Sequence, residues 1–168
     1  IESALETADF IYHLAGVNRP KNDDEFKQGN ADLTSHIVNK LNELNKATPI
    51  LLSSSIQAEQ SNPYGVSKAQ AEDVVKEYGF QSQAKVYIYR LPNVFGKWCR
   101  PNYNSMVATF CHNVANDLPL TINDPAAKVN LVYIDTVCEH FIHHLNHDDE
   151  SGEKSIKPIY PTTVGEVA

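Results

Sequence analysis

Pro49-Ile50-Leu51-Leu52-Ser53-Ser54-Ser55, followed after a short gap by Asn62-Pro63-Tyr64-Gly65-Val66-Ser67-Lys68, is the stretch on which the fold turns. An unbroken apolar run ending in small polar residues predicts a strand buried on both faces. Asn62 is placed to cap a helix and Pro63 to occupy its first position, where a missing N–H costs nothing. That helix is predicted to run to about residue 78, with Gly79 closing it. Working outward, residues 10–14 read as a second buried strand ended by Ala15-Gly16. Residues 31–45 carry Leu33, Ile37, Val38, Leu41 and Leu44 at helical spacing. Downstream, the pattern predicts strands at 86–89, 120–122 and 131–134 and helices at 105–115 and 135–146. The alternation of strands with amphipathic helices gives an α/β fold, a doubly wound parallel sheet with helices on both faces.

The chain has 168 residues, enough for one domain with a real core, and 42% of them are hydrophobic. Its formal charge of −7 excludes a general nucleic-acid binder, which needs a basic face for phosphates. It contains no apolar run of membrane-spanning length and no secretory signal. Cys99, Cys111 and Cys138 form neither a CxxC pair nor a disulfide framework, so a reducing cytoplasm is the expected setting.

Tyr64 and Lys68 lie four residues apart at a helix start, which puts both side chains on one helical face. A phenol with a pKa of about 10 is a poor acid or base at neutral pH. An adjacent ammonium and the positive end of a helix both favour the phenolate, so Lys68 is expected to draw the Tyr64 pKa down. Ser53 and Ser55 fall on one side of an extended chain. They sit at the carboxyl end of a strand, where open α/β sheets hold ligands. Taken singly, each of these is an ordinary surface pair or a Ser-rich turn. Together they point to proton exchange with a hydroxyl or ketone.

His13-Leu14-Ala15-Gly16, the serine run, Asn62-Pro63-Tyr64-Gly65-x-Ser67-Lys68, Arg90-Leu91-Pro92-Asn93-Val94-Phe95-Gly96 and Asn130-Leu131-Val132-Tyr133-Ile134-Asp135 occur in the order seen in extended short-chain dehydrogenases/reductases. The chain resembles that family over nearly its whole length. The resemblance implies a partial Rossmann-like fold, with residues 1–96 mainly core and 97–168 mixed core and substrate lobe. It implies Tyr64 as catalytic acid/base, Lys68 as its activator and a ribose ligand, and Ser55 as the catalytic serine. Leu14, Ala15, Gly16, Ser53, Pro92 and Val94, with Tyr64 and Lys68, would line the dinucleotide, and Asn93 would meet the substrate pyrophosphate. The short gap between Ser55 and Tyr64, together with Phe95-Gly96-Lys97-Trp98-Cys99-Arg100-Pro101-Asn102-Tyr103-Asn104, resembles the capsular polysaccharide assembling reductases more closely. Those enzymes use NADPH, with NAD a possible substitute, on the 4-keto group of a UDP-2-acetamido-2,6-dideoxyhexose. They are homodimers with a downstream cupin domain. Lys97, Trp98, Arg100, Asn104 and Lys128 are the expected partners for the UDP-sugar.

Related dehydratases carry an Asp-Glu pair after the catalytic hydroxyl. Here Ile56 and Gln57 follow Ser55, and neither can act as an acid or base. A nucleotide-sugar 4-epimerase uses the same Ser, Tyr and Lys and stays open, as does a dinucleotide-binding sensor or scaffold without chemistry. A glycine-rich GxxGxxG turn is absent from the 168 residues. The chain starts at Ile1 inside a helical pattern and ends inside another, so it reads as a fragment with little activity of its own and weak cofactor binding. His140, His143, His144 and His147 pair at helical spacing but lack a HExxH order, and with Val137, Phe141 and Leu145 as the expected core stripe no metal site is assigned.

Overall fold

The structure is a computed structural model describing residues 2–168, so the Ile1 end of the first predicted helix lies outside the described residues. The chain divides into two compact units, one up to Arg90 plus Leu145–Ser155 and the other Leu91–His144 plus Ile156–Ala168.

The first unit begins with α1 (Glu2–Thr7) and β1 (Ile11–His13). The Lys46 ammonium donates to the α1 carbonyl of Glu6 at 2.8 Å and to that of Ala8 just beyond at 3.0 Å, closing the helix end. A helical stretch follows that starts earlier than predicted: α2 (Asp24–Lys27), a π-turn over Gln28–Asp32, and α3 (Leu33–Glu43). Then come β2 (Ile50–Ser55), a 3₁₀ turn (Ile56–Glu59), α4 (Pro63–Ser82), β3 (Val86–Leu91) and, from the later segment, β6 (Gly152–Lys154). The sheet order is β1-β2-β3-β6. β1 runs parallel to β2, with His13 opposite Leu52, and β3 runs parallel to β6, with Ile88 opposite Glu153. Ile37, Leu41, Ile50, Leu52, Val75, Tyr78 and Ile88 form the core between sheet and helices. Leu51 is equally buried but points away from that cluster, which is what an uninterrupted apolar strand requires.

Asn62 caps α4 as predicted, its Oδ1 accepting from Gly65 N at 2.8 Å. Gly79, predicted to end that helix, lies inside it instead. A Cβ there would come within 2.9 Å of Val86, so this glycine serves packing, and Gln83, with φ of 60°, takes the left-handed cap.

The second unit contains β4 (Asn93–Phe95), α5 (Met106–Ala115), β5 (Lys128–Tyr133), α6 (Ile134–Asn146), β7 (Tyr160–Thr163) and α7 (Val164–Val167). β4 pairs parallel with β5 and β7 antiparallel with it, so this three-stranded sheet is mixed. The strand expected at 120–122 does not form. Leu118 and Ile122 remain exposed there, and the segment is tied down by Asn113 Nδ2 donating to Pro119 O at 2.9 Å. On α6 the buried side chains are Val137, Phe141 and His144. Leu145, expected in the core stripe, is exposed.

Candidate functional site

The carboxyl end of β2 delivers Ser53, Ser54 and Ser55 on alternating faces, with Ser54 buried and its neighbours half-buried. The 3₁₀ turn then leads into α4, which presents Tyr64 and Lys68. Gly65 makes this approach possible. A Cβ at that position would collide with the Gln57 carbonyl oxygen and lie 2.6 Å from that of Gln60. Replacing Gly65 with Ala should therefore cost about 1–3 kcal/mol of overpacking, read as a lower denaturant midpoint.

Four of the predicted site residues meet here. The Ser55 hydroxyl accepts from Gln57 N at 3.2 Å and stands near enough to the Tyr64 phenol to lower its pKa. The Lys68 ammonium donates to the Ser53 carbonyl at 2.7 Å. Tyr64 is half-buried, its ring 5.5 Å from that of Phe26, while Lys68 is buried. Burial raises the phenol's pKa above its ordinary value and outweighs the neighbouring Ser55 hydroxyl, which lowers it. The expected net depression of Tyr64 is thus absent in the ligand-free site. Lys68 itself is lowered by burial and partly restored by the Glu72 carboxylate.

Leu14, Ala15 and Gly16 leave the end of β1 exposed. A Cβ on Gly16 would sit 3.8 Å from Lys68 Nζ and 2.6 Å from Asn30 Oδ1, so the bare backbone there borders the ammonium. An open apolar backbone beside a buried cation and a phenol fits the ribose end of a dinucleotide.

Beneath it lies a polar network that sequence reading did not find. Asn30, in the π-turn and 2% exposed, holds the chain after Gly16 at two points. Its Oδ1 accepts from Val17 N at 2.9 Å and its Nδ2 donates to Val17 O at 3.0 Å. Nδ2 also donates to Ser67 Oγ at 2.9 Å, and Ser67 donates to Tyr64 O at 2.7 Å. Thr34 donates to Asn30 O at 2.7 Å and pairs with His13 Nε2 at 2.8 Å. π-turns of this kind interrupt helices where a side chain must be aimed, and the length of the helix alone gives no sign of one.

His13 is buried, and desolvation with the Lys68 charge lowers its pKa to about 4. The unfolded imidazole takes its proton near 6.5, so below that pH the unfolded chain binds more protons and stability falls. His13 alone should withdraw about 3 kcal/mol as pH drops from about 6.5 through about 4. Denaturation midpoints across that range should slope in the wild type and flatten in His13→Gln.

In the second unit Pro92 is buried, Asn93 is exposed at the start of β4 with Nδ2 donating to Asn130 O at 3.4 Å, and Val94 is half-buried opposite Val132. Lys97 pairs with Asp135 at 2.6 Å. Trp98 is 98% exposed with φ of 60°, Arg100 lies 5.8 Å over the Tyr103 ring, and Asn104 and Lys128 are exposed. These residues all fall in the second unit. His140 bonds the Lys157 carbonyl at 3.0 Å, and no group of three or more metal-ligating side chains occurs among the described residues. The three cysteines are free and exposed. No helix among the described residues is long and apolar enough to cross a membrane.

A serine pair at a parallel strand's carboxyl tip, facing a Tyr and Lys one helical turn apart, defines the class of dinucleotide-associated α/β proteins. The chain belongs to the NAD dependent epimerase/dehydratase family, whose profile matches residues 1–157. It is 47% identical over 165 residues to the UDP-2-acetamido-2,6-beta-L-arabino-hexul-4-ose reductase of Pseudomonas aeruginosa, covering 98% of this chain and 44% of the relative. The crystal structure of the capsular polysaccharide assembling protein CapF from Staphylococcus aureus superposes with a TM-score of 0.82 at 40% identity, over 99% of this chain and 44% of that one. A UDP-N-acetylglucosamine 4-epimerase from Methanobrevibacter ruminantium shares the fold, with a TM-score of 0.83 at 20% identity over 99% of this chain and 60% of that one. The chain spans less than half the length of the reductase and of the CapF protein that it matches.

Proposed function

We propose that the protein carrying this chain is an NADPH-dependent reductase of the 4-keto group of a UDP-2-acetamido-2,6-dideoxyhexose, serving surface polysaccharide precursor synthesis. The observation that carries the reading is Tyr64 beside Ser55 and the buried Lys68, whose ammonium holds the Ser53 carbonyl, set in a chain that shares nearly half its residues with a reductase of that name. Reduction needs a proton donor at the substrate oxygen. A phenol whose pKa burial raises is fully protonated at neutral pH and fills that role, with Ser55 orienting the same oxygen. Lys68 carries positive charge to the ribose side of the site and stabilises the phenolate left after proton transfer. Leu14, Ala15 and Gly16, with Ser53, Pro92 and Val94, would hold the dinucleotide, which supplies the hydride when bound. NADP is favoured over NAD by the resemblance to the assembling reductases. Asn93, Lys97, Trp98, Arg100 and Asn104 are the substrate-side residues. Ile56 and Gln57 in place of an acidic pair disfavour dehydration. The resemblance also favours a homodimer.

The test is turnover by the complete protein with a UDP-4-keto-6-deoxy sugar and NADPH. Stoichiometric loss of NADPH absorbance with formation of a 4-hydroxy sugar is expected. Interconversion of the two C4 epimers of a UDP-4-hydroxy sugar, with no net change in the dinucleotide, would instead identify an epimerase. Dinucleotide binding with neither reaction would identify a sensor.

A further inference from the structure

The three consecutive serines pose a register problem. A slip of one residue along a strand exchanges its two faces. Here neither the side-chain chemistry nor the apolar pattern resists that slip. Ser53, Ser54 and Ser55 are identical, and Ile50, Leu51 and Leu52 are each no more than 1% exposed, so both faces of β2 are apolar and buried. Something outside the strand must select which serines face Tyr64.

We infer that Ser54 and Glu72 are the positioning residues that fix this choice: the buried Glu72 carboxylate holds the Ser54 hydroxyl on one face of β2, and the two-residue period commits Ser53 and Ser55 to the other. The assignment rests on reading Ser55 and Tyr64 as the reacting pair. Glu72 is 1% exposed and lies one helical turn beyond Lys68 on α4. Its Oε1 accepts from Ser54 Oγ in a short hydrogen bond. It is itself immobilised by Arg90 of β3. The Arg90 Nε donates to both carboxylate oxygens at 3.0 and 3.2 Å, and Nη2 donates to Oε2 at 2.7 Å. A forked guanidinium on a carboxylate fixes orientation as well as distance.

The same arginine grips the chain on the far side of Ser55. Its Nη1 donates to Glu59, in the 3₁₀ turn, at 3.1 Å, and Nη2 lies 3.4 Å from Glu153 of β6. Lys76 of α4 stands 3.6 Å from Glu72 and 2.9 Å from Glu153. Ser55 is therefore bracketed, with Ser54 anchored before it and Glu59 after it, both through one ion cluster. Next to this anchor, Ser55 stands beside Tyr64 and the Ser53 carbonyl accepts from Lys68. Glu72 also supports the Lys68 charge through space, so Ser54, whose replacement leaves that carboxylate in place, is the variant that isolates the placement of Ser55.

Ser54→Ala in the complete protein removes the anchor while leaving the Glu72–Arg90 pair intact. Tyr64 ionisation is read as the tyrosinate absorbance difference against Tyr64→Phe in the same background. With the anchor gone, the Ser55 hydroxyl is no longer held beside the phenol, whose pKa it lowers. The Tyr64 midpoint should then move to higher pH, and kcat should fall by on the order of 10²-fold while KM for NADPH stays nearly constant. Ser54→Thr, which keeps a hydroxyl, should restore both readouts. Ser54→Cys, close in size and a weaker donor, should shift the midpoint in the same direction as Ala, and it provides a second, near-isosteric variant should Ala fold poorly. An unmoved Tyr64 midpoint in Ser54→Ala or Ser54→Cys overturns the assignment, even if thermal stability drops. So does a failure of Thr to rescue. Absence of turnover in the wild type would sink the reductase reading alone, since the phenol titration still decides the role of Ser54.

Discussion

Replacing Tyr64 with Phe should lower turnover of the complete protein by about 10²- to 10⁴-fold while leaving NADPH affinity nearly unchanged. The substitution removes one oxygen. The ring that packs 5.5 Å from Phe26 stays, the Asn62 cap and the Gly65 approach stay, and Lys68 keeps its bond to the Ser53 carbonyl. What disappears is the proton donor that stands beside the Ser55 hydroxyl. A loss confined to kcat is the signature of an interaction made in the transition state. The wild-type pH profile carries a matching sign. Reduction uses the protonated phenol, and burial holds its pKa above the ordinary value, so kcat should be flat through neutrality and decline only on the alkaline side. A decline beginning near neutrality would mean that the donor's pKa is depressed by Lys68 and the helix start instead of raised by burial, whereas the reverse oxidation, which needs the phenolate, would gain rate as pH rises. Equal loss of kcat and NADPH affinity in Tyr64→Phe would point to a merely structural ring.

The parts of this site legible in the sequence are those where a local rule and a chemical need coincide. Asn62-Pro63 announces a helix start by capping chemistry, and Tyr64 and Lys68 then fall on one face by geometry alone. Ile50-Leu51-Leu52 announces a doubly buried strand by the absence of alternation. Hidden from that reading are buried polar groups whose partners are distant in the chain. Asn30 meets Val17 and Ser67, 13 and 37 residues away, and His13 meets Thr34 across 21. Nothing in the sequence around Asn30 marks it as 2% exposed, because α2 and the π-turn are almost wholly polar and show no helical stripe. β4, β6 and β7 escape the sequence reading because three or four residues without an unbroken apolar run carry too little pattern, and Gly152-Glu153-Lys154 has no apolar side chain at all. The failed strand at 120–122 shows the converse. A short apolar run with no partner strand stays an exposed coil. Gly79 was misread because a glycine near a helix end signals either a left-handed cap or a close contact. Only the position of Val86 tells which.

The second large effect concerns the ion cluster behind the serines. Arg90→Met should destabilise the fold by about 3–5 kcal/mol, because it strands the Glu72 carboxylate in the interior with its main counter-charge gone. Arg90 is itself one-quarter exposed and would be an ordinary surface partner elsewhere. The cost comes from Glu72, at 1% exposure. In the native protein, burial pushes the Glu72 pKa up, but the hydrogen bonds from Arg90 and Ser54 and the charges of Arg90 and Lys76 prevail and hold it below the usual range. A carboxyl depressed on folding stabilises the protein above its unfolded pKa, and that contribution is lost as pH falls through the folded pKa. Without Arg90 the burial contribution dominates and the carboxyl rises, so Glu72 is neutralised at milder acidity. The gap between wild type and Arg90→Met, measured by urea denaturation, should therefore be widest near neutrality and narrow as the pH is lowered toward 4. Pairing Arg90→Met with Glu72→Gln should return part of the loss at neutral pH, since the double variant leaves no uncompensated charge. If the double variant were as unstable as the sum of its parts, the two side chains would be acting independently. The cluster would then be a set of packed stems, and Glu72 would have no claim on the strand that carries Ser55.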